Sequence, residues 1–197
     1  MEGERHGGLS IWTVGHSTHP IDEFIRIVQS AGIRQLVDVR TIPRSRRNPQ
    51  FNRENLPESL KASGIAYKHM PRLGGLRQPR PDSINRGWRN ASFRGYADYM
   101  QAPEFRSGLQ TLLEAAAHEP TAIMCAESVP WRCHRSLISD ALLARGIEVL
   151  DILSASSVKP HALTAFARIE GDEVTYPGGS VDDENLQLKF DDSPTLR

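Results

Sequence analysis

The stretch TAIMCAESVPWRCHR, residues 121 to 135, decides the fold. It opens as a short apolar run after Pro120, of a length that suits a buried strand better than a helix. It then turns through Val129 and Pro130 and enters a helical pattern near Cys133, with Leu137, Ile138, Ala141 and Leu142 on one face and Gly146 as the stop. Another apolar run, IEVLDIL at residues 147 to 153, follows at once. Strand, loop, helix and strand in that order form the repeating unit of a parallel sheet, because parallel neighbours need a crossover helix between them.

The same alternation extends upstream. SIWTVGHS, residues 10 to 17, is β-branched and aromatic-rich and predicts a first strand ending at Gly15-His16-Ser17. Pro20 suits a first helical position, Asp22 and Glu23 complement a helix start, and Ile21, Phe24, Ile25 and Val28 recur at helical spacing up to Gly32. QLVDVR, residues 35 to 40, predicts a second strand, residues 55 to 64 a short helix around Leu56 and Leu60, and residues 65 to 70 a third strand. Residues 76 to 94 carry no period and predict a long loop; helical spacing returns at Tyr96, Tyr99 and Met100 and, past Pro103, runs from Phe105 to Ala116. The expected architecture is α/β: a three-layer, mostly parallel five-stranded sheet with helices on both faces, plus a small C-terminal hairpin turning at Glu170-Gly171-Asp172. We expect an α/β domain over residues 9–160, the hairpin extension over 161–179 and a disordered acidic tail over 180–197.

With 39% hydrophobic and 24% charged residues, the 197-residue chain can bury the core of one ordinary domain. No run approaches the roughly 18 apolar residues of a membrane span, and the opening MEGERHGGLS does not read as a leader, so no membrane partner and a cytoplasmic location are expected. Two cysteines make no disulfide scaffold, and a reducing compartment keeps them as thiols. The net charge of zero hides an asymmetry: residues 40 to 94 hold eleven arginines and two lysines against Glu54, Glu58 and Asp82. That is a basic surface of the kind that meets phosphates.

In open α/β sheets ligands bind beyond the carboxyl ends of the strands. Those ends carry His16 and Ser17, then Asp38 and Arg40, then Cys125 and Glu127, and the following helix start brings Cys133, His134 and Arg135. A helix start attracts anions and favours thiolate, so these residues predict a nucleophile or anion pocket. Cys125, Glu127, His16, Cys133 and His134 are the catalytic candidates, and Ser17, Asp38, Arg40, Arg44 and Arg135 the substrate-binding ones. Cys125, Glu127, Cys133 and His134 could also hold a zinc or iron ion, although their spacing matches no common zinc signature. The arginines at 44, 46, 47, 53, 72, 77, 80, 86, 89 and 94 are interleaved with Phe51, Tyr67, Trp88 and Phe93, a mixture that grips phosphates and stacks bases.

The loop after Cys125 resembles the active loop of the rhodanese and tyrosine-phosphatase families. It departs from them in its six-residue gap to Arg132, its lack of glycine and the acid at Glu127. Over residues 12 to 152 the chain is similar to a different family, domain of unknown function 488. The similarity is carried by TVGHS (13 to 17), LVDVR with Pro43, GIAYKHMPRLGG (64 to 75), GYADYM (95 to 100), MCAE (124 to 127) and CHR (133 to 135), with Asp151 where a histidine is expected. The resemblance implies the α/β fold and the shared strand-end site, and an association of some members with DNA repair. The resulting expectation is an enzyme acting on a phosphate-bearing substrate, a nucleotide or nucleic acid. The alternative is a non-enzymatic nucleic-acid binding module.

Overall fold

In the computed structural model the described residues are 8–178; the acidic tail expected over 180–197 lies outside them. Among the described residues eight strands and five α-helices follow in order: β1 (Ser10–Gly15), α1 (Ile21–Ser30), β2 (Gln35–Asp38), α2 (Leu56–Ala62), β3 (Ala66–His69), α3 (Ala91–Tyr99), α4 (Pro103–Ala116), β4 (Thr121–Cys125), α5 (Arg135–Leu143), β5 (Glu148–Ser154), β6 (Ser157–Pro160), β7 (Arg168–Glu170) and β8 (Glu173–Thr175). The main sheet has the order β3-β2-β4-β1-β5-β6. All pairings in it are parallel except β5 with β6. The fold is α/β, as expected, with one strand more than the five read from the sequence. β6 escaped because SVKP is short and polar and contains Pro160, which a strand tolerates at a sheet edge.

Two apolar layers cover the sheet. One gathers Phe24, Val28, Leu36, Leu56, Leu60 and Met124. The other gathers Ile11, Val37, Ile123, Leu109, Leu112, Leu137 and Leu142. The apolar run at 121–125 is buried throughout, as a central strand between two parallel neighbours must be. The β7–β8 hairpin turns at Gly171 with φ +60°, the left-handed conformation that glycine adopts at no steric cost. Phe166, Val174 and Tyr176 anchor its ends in the larger layer.

The register sets the edge where chemistry can sit. Gly15 pairs with Cys125, and Asp38 with Met124, so the carboxyl ends of β1, β2 and β4 are level. His16, Arg40 and the 126–134 loop all leave the sheet there. α5 starts at Arg135, two residues later than the expected helix start at Cys133. Cys133 ends a 3-10 turn over Pro130–Arg132, and His134 is the cap.

Candidate functional site

The exit of β1 is locked to the exit of β4. His16 N donates to Cys125 O (3.0 Å) and Ser17 N to Ala126 O (2.9 Å). A Cβ at Gly15 would collide with the Glu127 and Ser128 carbonyls, which explains the glycine in TVGHS. Ser17 (φ 47°) and Leu76 (φ 59°) are the two non-glycine residues with positive φ among the described residues.

The acid and arginine of LVDVR form a buried pair. Arg40 Nη2 donates to Asp38 Oδ2 (2.6 Å) and Nε to Oδ1 (2.9 Å), and Nη2 also reaches Phe51 O (2.7 Å). Tyr67 donates its hydroxyl to Asp38 Oδ2 at 2.8 Å. Both groups were expected to bind substrate; they are engaged internally instead, because a buried ion pair must satisfy its remaining donors and acceptors within the fold.

His16 is stacked on Phe51 with ring centroids 4.1 Å apart. Nδ1 donates to Ser17 O (2.8 Å), which leaves Nε2 to accept from Arg40 Nη1 at 3.1 Å. Burial first, with Arg40 beside it, lowers its pKa to about 4. With its one lone pair capped, His16 is a neutral positioning group rather than the proton carrier expected.

The centre of the edge is a sulfur pair. Cys125 and Cys133, both buried, have their sulfurs in contact across a Cα–Cα distance of 7.5 Å. The two sulfurs are close enough to form a disulfide, which corrects the expectation that both remain thiols, although the span exceeds the roughly 4.4–6.8 Å of an ordinary one. Arg135, fully buried, donates from Nε to Cys125 Sγ (2.9 Å), from Nη1 to Thr13 Oγ1 (3.3 Å) and from Nη2 to Glu127 O (2.7 Å). Among the described residues no carboxylate touches this guanidinium. Burial lowers its pKa to about 10 despite the opposing fields of Asp151 and Glu127, so it remains charged at neutral pH. Its expected contact with an external phosphate is replaced by these internal ones. The 126–134 loop therefore closes on an arginine through sulfur and carbonyls, without the backbone cradle of a rhodanese loop.

His134 completes the pair. Nε2 donates to Val39 O (3.0 Å), so bare Nδ1 faces Cys133 Sγ at 3.5 Å. Burial holds its pKa at about 4, although an edge of the residue reaches the surface. Gly75 packs on this ring; a Cβ there would meet Nδ1 at 3.1 Å.

Other expectations change. Glu127 presents its side chain at the surface and its backbone to Arg135. Among the described residues no group of three or more His, Cys, Asp or Glu side chains is placed to hold a metal. The expected zinc or iron site on Cys125, Glu127, Cys133 and His134 is thus not assembled: the acid faces out, and the other three form a chain of contacts. The aromatic half of the base-stacking surface is also absent. Phe51 and Trp88 are core residues, Trp88 stacks on Phe93, and Tyr67 is tied to Asp38. Arg44, Arg46, Arg47 and Arg53 do stand at the surface, beyond the end of β2.

The sequence reading missed His161. Its Nδ1 lies 2.8 Å from Asp151 Oδ2, while Nε2 is 3.4 Å from Asp140 Oδ1 without hydrogen-bond geometry. Burial opposes its charge most strongly, but the two acids together outweigh it and lift the pKa to about 9. Thr13 donates to Asp151 Oδ1 (2.7 Å) and so joins this pair to Arg135. The one clue was Asp151 itself, the position flagged as departing from its expected residue.

Fold and site together define an α/β protein with a buried sulfur, guanidinium and imidazole centre at the strand ends. The family described as domain of unknown function DUF488 matches residues 20–142, more than half of the chain, and the chain belongs to it. Searches of curated proteins and of solved structures find no match. Among the described residues no helix is long and apolar enough to cross a membrane.

Proposed function

We propose that the chain, with the Cys125 and Cys133 pair reduced to thiols, is an enzyme whose chemical centre is that pair, acting on a phosphate-bearing substrate, a nucleotide or nucleic acid. One observation carries this reading: the buried Arg135 guanidinium donates to Cys125 sulfur at 2.9 Å and touches no carboxylate among the described residues. An isolated buried cation costs several kcal/mol, so the site favours a thiolate at Cys125 as its counter-ion. The nearest acid, Asp151, is reached only through Thr13 and is already bonded to His161. Cys125 is then the anionic nucleophile, and bare Nδ1 of neutral His134 accepts a hydrogen bond from the Cys133 thiol. Glu127, exposed on the same loop, is placed to act as general acid or base on a substrate outside. Arg44, Arg46, Arg47 and Arg53 supply the phosphate contacts, since none has an acidic partner among the described residues.

The test is a pH titration of ultraviolet thiolate absorbance in Cys133→Ser protein, which reads a buried sulfur directly. Cys125 should ionise a unit or more below the usual thiol value of about 8.5, and Arg135→Met should remove the depression. An ordinary or raised value overturns the nucleophile. Saturable nucleotide binding that weakens in an Arg46→Ala, Arg47→Ala double variant, with the Cys125 titration unchanged, supports the phosphate half; no saturable binding removes it.

The exposed arginines also favour a second reading, a non-enzymatic nucleic-acid binding module of the kind associated with DNA repair. It requires affinity for DNA or RNA that falls steeply with salt, with a slope close to the number of phosphates contacted. Salt-independent binding would sink it.

A further inference from the structure

A cavity lies outside the sulfur centre, between β5, β6 and the residues that follow β6. Its volume is about 430 Å³, within the range of small-molecule sites. Trp131, Leu153, Pro160 and Leu163 give it apolar walls, and Lys159 and His161 are its cationic residues. Trp131 and Leu163 are 42% and 37% exposed, so the apolar wall is open to entering molecules.

The charges on the wall decide what fits. Lys159 stands directly across the antiparallel pair from Asp151, on the same face of the sheet. Asp151 does not pair with it: one carboxylate oxygen accepts from Thr13, the other is bonded to His161, and no ion pair to Lys159 is formed among the described residues. Lys159 has no ion pair or hydrogen bond among the described residues and is the one uncommitted charge at the cavity. A single ammonium is a point charge without the fork that grips a phosphate, and the acids nearby disfavour a dianion. An apolar chamber with one free cation at its edge is complementary to a monoanion with an apolar body.

We propose that this cavity binds a small carboxylate-bearing molecule, with its hydrocarbon part against Trp131, Leu153 and Leu163 and its carboxylate on Lys159. The site is separate from the thiol chemistry but shares a wall with it. Pro130 and Trp131 belong to the turn that ends at Cys133, and Ser136, also on the wall, donates to Cys133 O at 3.1 Å.

Octanoate and its uncharged counterpart octanamide test the assignment on the full chain, by calorimetry and by Trp131 fluorescence, with Trp131→Phe as the control. Octanoate should bind saturably at one site and octanamide about tenfold or more weakly, the difference that about 1.4 kcal/mol of charge-assisted bonding makes. Lys159→Gln should abolish the difference and leave octanamide affinity unchanged, and Leu163→Asp should weaken octanoate. No saturable binding, equal affinity for both probes, or an octanoate preference that survives Lys159→Gln overturns the proposal. A Trp131 signal that follows protein concentration instead of octanoate makes the cavity a contact between copies and overturns it as well.

Discussion

Two regions of the sheet, the strand-end edge and the β5–β6 side, hold the same residue type in different charge states. Beside β2 and β4, His16 and His134 are neutral, each with a pKa near 4. Beside β5 and β6, His161 is also buried, yet its pKa is about 9. Desolvation acts against the proton in all three. What differs is the company: His16 lies against a guanidinium and His134 against a carbonyl and a sulfur, whereas His161 sits between Asp140 and Asp151. A buried imidazole takes its charge from its neighbours, and one sheet supplies both kinds.

The largest expected effect breaks the neutral half. Asp38→Asn leaves Arg40 buried without its counter-ion and should cost about 3–5 kcal/mol in urea unfolding.

Next comes pH, which separates the halves without mutation. As pH falls from 6.5 to about 4, the unfolded chain protonates histidines that folded His16 and His134 keep neutral, so stability drops, by up to about 3 kcal/mol for each. His161 runs the other way: its contribution is complete below about 6.5 and is lost as pH rises through about 9. Unfolding curves across that range should therefore show stability greatest near neutrality, and His161→Phe should flatten only the alkaline limb.

A smaller effect is expected at the joint between the halves. Thr13→Val removes the hydrogen bond to Asp151 and the acceptor for Arg135, costing about 1–3 kcal/mol in thermal or urea unfolding. The smallest is Glu127→Gln, whose exposed side chain should change stability by less than about 0.5 kcal/mol; a much larger loss would mean that the carboxylate is structural.

Much of this edge was legible in the sequence. The apolar run at 121–125 had to be a central strand, and Gly32 and Gly146, both with φ near +70°, do end their helices. The residues at the strand ends do gather in one place. Their roles were harder to read, because charge and exposure depend on partners distant in the chain. Asp38, Arg40 and Arg135 look like ligand contacts in a sequence; in space each is closed off by Phe51, Tyr67 or Thr13. Trp88 and Phe93 sit among arginines in the chain, but the loop carries Trp88 into the core. His161 became visible only when the short polar strand β6 folded back on β5 and carried it to Asp151.

Thr13 has a single hydroxyl proton, and Asp151 holds it. It can therefore meet Arg135 only with a lone pair, and Cys125, Arg135, Thr13, Asp151, His161 and Asp140 form one polarised row through the protein. Charges linked in this way do not titrate alone. If His161 loses its proton, Asp151 is released to neutralise Arg135, and the incentive for a thiolate at Cys125 weakens. An acid constant measured at the sulfur thus belongs in part to an imidazole on the far side of β1.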